Sequence, residues 1–93
     1  MISALCFVQV APGKVNEVGQ TMAEIKGVRS VYSVTGKIDM VALIEVVDHD
    51  RVADVVNDGI GRIEGVLSTE THIAFKTYRP QDIEAGFSIG AES

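Results

Sequence analysis

The chain has 93 residues, 46% apolar and 23% charged, and eight basic against thirteen acidic residues give a formal charge of −5. That length holds one domain with one core, burying roughly 60–65% of the unfolded surface, and the composition excludes a disordered chain. The lysines and arginines are scattered singly, without the basic patch that neutralises phosphates, so neither direct nucleic-acid binding nor an anionic membrane surface is expected.

The N-terminal residues lack a basic n-region and a cleavage site, and no apolar run approaches the ~20 residues that span a bilayer. A cytoplasmic location is expected. From Ile2 to Val10, the residues Ile2, Ala4, Cys6, Val8 and Val10 alternate with Ser3, Leu5, Phe7 and Gln9, the period of a strand with apolar groups on both faces. Cys6, the lone cysteine, reads as a small buried hydrophobe. Pro12-Gly13 ends the strand, and Val15, Val18, Met22 and Ile25 predict an amphipathic helix capped at Gly27.

Val28 to Thr35 and Asp39 to Val47 predict a β-hairpin around the turn Thr35-Gly36-Lys37-Ile38-Asp39. Asp48 is placed to cap a second helix, with the stripe Val52, Val55, Val56, Ile60 and Ile63 and a stop at Gly65. Gly59 and Gly61 within it each cost on the order of 1 kcal/mol relative to alanine, which predicts weak or irregular last turns. Val66 to Tyr78 predicts a final strand, with Leu67, Thr69, Thr71, Ile73 and Phe75 in one register and Ser68, Glu70, His72, Ala74 and Lys76 in the other. Residues 1–79 then form the domain and 80–93 a tail, in which Ile83 and Phe87 either share a helical turn or belong to a frayed end.

An internal echo supports this order. Val15, Val18 and Ile25-Lys26-Gly27-Val28 recur as Val52, Val55 and Ile63-Glu64-Gly65-Val66 at offsets of 37 or 38 residues. Two β-α-β halves joined through the hairpin make an α+β ferredoxin-like fold, βαββαβ, with a four-stranded antiparallel sheet and two helices on one face. The other face, with Leu5, Phe7 and one register of the third strand, would expose more apolar surface than a soluble monomer usually tolerates. A second copy of the same face is the expected cover, giving a two-fold homodimer.

No nucleophile with its base and no metal-ligand spacing is legible, so no catalytic residue, metal or cofactor is expected. His49 and His72 fall on different elements. The run Gly59-Ile60-Gly61-Arg62-Ile63-Glu64-Gly65 ends a helix where a phosphate loop would open one. The hairpin turn remains, with Thr69 and Thr71 beside it. Backbone N–H groups around Gly36 suit a carboxylate, and Asp39 suits an ammonium. The alternative is that Asp39 caps its own turn and that the threonines are ordinary strand residues.

The string Gly27-Val28, Val34-Thr35-Gly36-Lys37-Ile38-Asp39, an apolar strand ending near Asp48, a helix, and Gly65-Val66-Leu67-Ser68-Thr69-Glu70-Thr71 resembles the C-terminal effector-binding domain of the Lrp/AsnC transcription regulators. The resemblance covers nearly all of residues 1–79. It implies dimers formed through the sheets, further assembly into octamer-like rings, and an amino-acid effector bound between dimers. The implied ligand-binding residues are Thr35, Gly36, Lys37, Ile38 and Asp39 in the turn, with Thr69 and Thr71 from the last strand of the same or a neighbouring subunit. The chain begins at the first strand without a helix-turn-helix, so a stand-alone sensing module is expected, with any transcriptional effect exerted through a DNA-binding relative. Two rivals stand beside this reading: a small dimeric enzyme, a cofactor-free oxygenase or isomerase using an inward-facing Tyr32 or His72, and a ligand-free interaction module.

Overall fold

The computed structural model describes residues 1–80. The alternation at the start of the chain becomes β1 (Ile2–Val10), followed by α1 (Val15–Ala23), β2 (Val28–Ser33), β3 (Met40–Val46), α2 (His49–Ala53) and β4 (Val66–Ile73). The sheet order is β2-β3-β1-β4, and all neighbours are antiparallel. This is the α+β ferredoxin-like arrangement that the two β-α-β halves predict. The expectation for Ile83 and Phe87 lies outside the described residues.

One face of the sheet forms the floor of the core. Ala4, Cys6, Val8 and Val10 of β1 lie beside Met40, Ala42, Ile44 and Val46 of β3, all buried beneath Val18 and Met22 of α1 and Val52, Val55, Val56 and Ile60 of the second helical segment. Among the described residues no polar or charged side chain is buried with them. Burying each large aliphatic side chain stabilises the fold by about 1.5–3 kcal/mol.

The other face carries the odd register of β1. Leu5 lies between Leu43 and His72, and Phe7 between Val41 and Glu70, while Tyr32 of β2 lies beside Val41. Leu5 is 38% exposed and Tyr32 55%. No element of the described chain covers this face.

Several boundaries differ from the sequence pattern. The first helix stops at Ala23, and Glu24 to Gly27 form a tight exit in which Ile25 N–H donates to Met22 and Val28 N–H to Ile25. β4 ends at Ile73 instead of Tyr78, because its partner β1 runs out. Ala74 N–H still reaches the Ser3 carbonyl at 2.8 Å, but beyond Ile2 there is no strand left to pair with, and Phe75 is fully exposed.

Asp48 does cap the second helix, its Oδ1 accepting the Arg51 N–H at 3.0 Å. The helix then widens into a π-helical stretch, Asp54–Gly59, and tightens into a 3₁₀ turn, Ile60–Arg62. The two glycines thus sit where the regular hydrogen-bond ladder is lost, which is the irregularity that their helix cost predicts.

Both edge strands carry a register shift. β2 inserts Arg29 between the residues that pair with Ile44 and Leu43, and β4 inserts Leu67 between those that pair with Val10 and Gln9. Arg29 uses the bulge to reach Glu45 at 2.7 Å.

Candidate functional site

The turn joining β2 to β3 projects from one end of the sheet. Gly36 takes a φ of 110°, in the region closed to residues with a Cβ, and open space surrounds it. Val34 N–H donates to the Asp39 carbonyl and Asp39 N–H donates to the Val8 carbonyl, each at 3.0 Å, so the turn is closed at its base and tied to β1. Between those two bonds the backbone is open. Among the described residues, the N–H groups of Thr35, Gly36, Lys37 and Ile38 donate no hydrogen bond.

The Asp39 carboxylate divides its two oxygens between different tasks. Its Oδ2 accepts the Val10 N–H at 2.8 Å in a half-buried setting. Its other oxygen makes no hydrogen bond among the described residues. The side chain is therefore a brace between the turn and β1, with one acceptor left for a donor from outside. Replacing Asp39 with alanine leaves the Val10 N–H without its partner, and the expected loss of stability is about 1–3 kcal/mol in urea denaturation at fixed protein concentration.

Thr69 and Thr71 are brought to the same sheet but not to the same spot. Val8 pairs with Met40 on one side and with Thr69 on the other, so β1 separates the turn from β4 by about 10 Å. Both threonines share the helix-side register with Val8 and Cys6 and are half-buried. Burial, the larger effect, pushes the Cys6 thiol above its ordinary pKa, while the neighbouring Thr71 side chain acts in the opposite sense. A ligand touching both turn and threonines must cross β1 or be closed in by another copy.

Gln9 supplies a link that the sequence pattern did not single out. Its Nε2 donates to the Lys37 carbonyl at 3.1 Å, and its Oε1 accepts from the Ser68 hydroxyl at 2.8 Å. One side chain thus joins the turn to β4. The available signal was a lone amide that follows Leu5 and Phe7 in the same register of β1.

Tyr32 and His72, the candidates of the enzymatic rival, both lie on the open sheet face. His72 bonds Glu70 at 2.8 Å and meets the Phe7 ring edge-on at 5.4 Å between centroids. Among the described residues, no three His, Cys, Asp or Glu side chains gather as a metal site, and no helix is long and apolar enough to cross a membrane.

The sheet order and the helices on one face define a ferredoxin-like domain. The family model for the Lrp/AsnC ligand binding domain matches residues 3–83, and the chain belongs to that family. A curated relative, the HTH-type transcriptional regulator FL11 of Pyrococcus horikoshii, is 36% identical over 76 residues, covering 82% of this chain and 50% of the relative. The chain thus spans about half the length of the curated relatives it matches. Among solved structures, TTHA0845 from Thermus thermophilus is 42% identical, with a TM-score of 0.81 over 85% of this chain and 99% of that one. The transcriptional regulator NMB0573 from Neisseria meningitidis, solved as a complex with L-Met, shares the fold at 18% identity. Its TM-score is 0.75, with coverage of 84% of this chain and 52% of that one.

Proposed function

We propose that this chain is a non-enzymatic, cytoplasmic sensing domain that binds an amino acid or a related zwitterionic metabolite at the turn Thr35–Asp39. Thr69 and Thr71 complete the site, and a neighbouring copy closes it. The reading is carried by one observation: the turn offers consecutive unengaged N–H groups at Thr35 to Ile38, next to an Asp39 oxygen with no partner among the described residues. The N–H groups suit the carboxylate of the ligand and the free oxygen suits its ammonium. Family membership and the relatives named as transcriptional regulators support a regulatory role. The L-Met complex of a fold neighbour supports the choice of ligand class.

The output is a change of assembly. Copies pair through the open sheet face and associate further, in octamer-like rings, around the turns. A ligand that prefers one assembly shifts the population toward it in proportion to that preference. Transcription is modulated when the chain co-assembles with a DNA-binding relative. Tyr32 and His72 lie on the face assigned to pairing, away from the helix-covered side on which an enzyme of this fold would place them.

Thermal unfolding in the presence of each of the common amino acids tests the proposal. At a ligand concentration a hundred times the dissociation constant, the effector is expected to add about 2.7 kcal/mol of stability. The gain should disappear in Asp39→Ala when each variant is compared with its own ligand-free state. Absence of a shift with every amino acid at millimolar concentration overturns the sensor reading in favour of a ligand-free interaction module.

A further inference from the structure

The opposite end of β3 holds a cleft of about 460 Å³, lined by Met1, Lys26, Gly27, Glu45, Val46, Val47, Arg51, Asp54 and Val55. It lies six residues along the strand from Met40, about 20 Å from the turn. We propose that this cleft is a second small-molecule site, taking a monocarboxylate with a short branched apolar body.

The floor is apolar. Val46 and Val55 are 8% and 6% exposed, and Gly27 brings backbone to the same wall, where a Cβ would stand 2.8 Å from Val55 and 2.9 Å from Val46. Val47, 69% exposed, extends this surface to the rim. The volume is within the usual range for small-molecule sites, about 300–1,000 Å³.

The charges around the rim select the occupant. Glu45 is already answered by Arg29 at 2.7 Å. Lys26 and Arg51 make no ion pair among the described residues, and neither does Asp54. With the α-amino group of Met1, also at the rim, three unanswered cationic groups face one unanswered carboxylate among the described residues, a net positive rim that calls for an anionic group. The Arg51 guanidinium can hold a carboxylate through two parallel N–H donors, and Lys26 adds a point charge. The apolar body of the ligand then lies on Val46, Val47 and Val55.

Amide chemical-shift mapping with 4-methyl-2-oxopentanoate as the probe, and 4-methylpentanamide as its uncharged counterpart, tests the site in the full chain. The carboxylate is expected to bind saturably, with the largest shifts at Gly27, Val46, Val47 and Val55. The amide is expected to bind more weakly by on the order of tenfold or more. The exposed double variant Lys26→Gln/Arg51→Gln should lose a similar factor, and Val47→Asp, which adds a negative charge to the rim, should do so independently. Shifts centred on Gly36 to Asp39, equal binding of acid and amide, or failure to saturate at about 10 mM would each overturn the proposal.

Discussion

Under the proposed pairing through the open sheet face, Leu43→Asp is expected to yield a monomer where the wild type forms a dimer, without unfolding the chain. Leu43 lies beside Leu5 in the centre of the uncovered sheet face, flanked by Phe7, Val41 and Tyr32. In a two-fold pairing of that face, each copy would bury one unpaired carboxylate. The desolvation of such a charge costs about 3–5 kcal/mol, so the dissociation constant should rise by roughly two or more powers of ten. Light scattering at micromolar concentration should give twice the chain mass for the wild type and a single chain mass for the variant, with the circular dichroism unchanged. A wild type that is already monomeric under those conditions removes the premise, and with it the assembly half of the proposed function.

Gly27→Ala is expected to cost about 2–4 kcal/mol, a large fraction of the stability of a domain this size. Two separate effects add. Gly27 has a φ of 100°, where an L side chain is strained, and a Cβ there would meet the Val55 and Val46 methyl groups at 2.8 and 2.9 Å. Both valines are β-branched, buried and held by the core, so they cannot swing aside as the end of a flexible side chain would. The melting temperature should fall by roughly 10–25 °C, read at matched protein concentration because association also stabilises the folded state. A drop of only a degree or two would show that the α1–β2 connection relaxes more freely than its packing suggests.

Much of the fold was legible because it is written in local periods. The alternation of β1 and β3, the three-and-four spacing of Val15, Val18 and Met22, and the glycine of the hairpin turn each depend on near neighbours, and each reappears in the structure. The end of β4 was not legible, since it depends on where β1 runs out and not on any residue after Ile73. Nor was the first helix stop, where the chain leaves at Glu24, three residues before the glycine that ends the turn. The geometry of the site was legible only in part. The turn and Asp39 stand out in the sequence, but the partner of Asp39 is the Val10 N–H, 29 positions away. The Gln9 bridge spans 28 residues to Lys37 and 59 to Ser68. Contacts of that range leave no spacing to read.

The bulges of the two outer strands have a consequence for how copies of this chain can join. A sheet open at both edges invites end-to-end growth, strand added to strand, into a filament. Here each edge strand carries its extra residue, Arg29 in β2 and Leu67 in β4, and the ladder is out of step at those points. Such a kink twists an edge away from a flat template. Growth sideways is thereby discouraged on both flanks, while the broad face of the sheet stays available. Under the proposed pairing, assemblies of this chain would be finite, their size set by which faces meet and not by how many strands can be stacked.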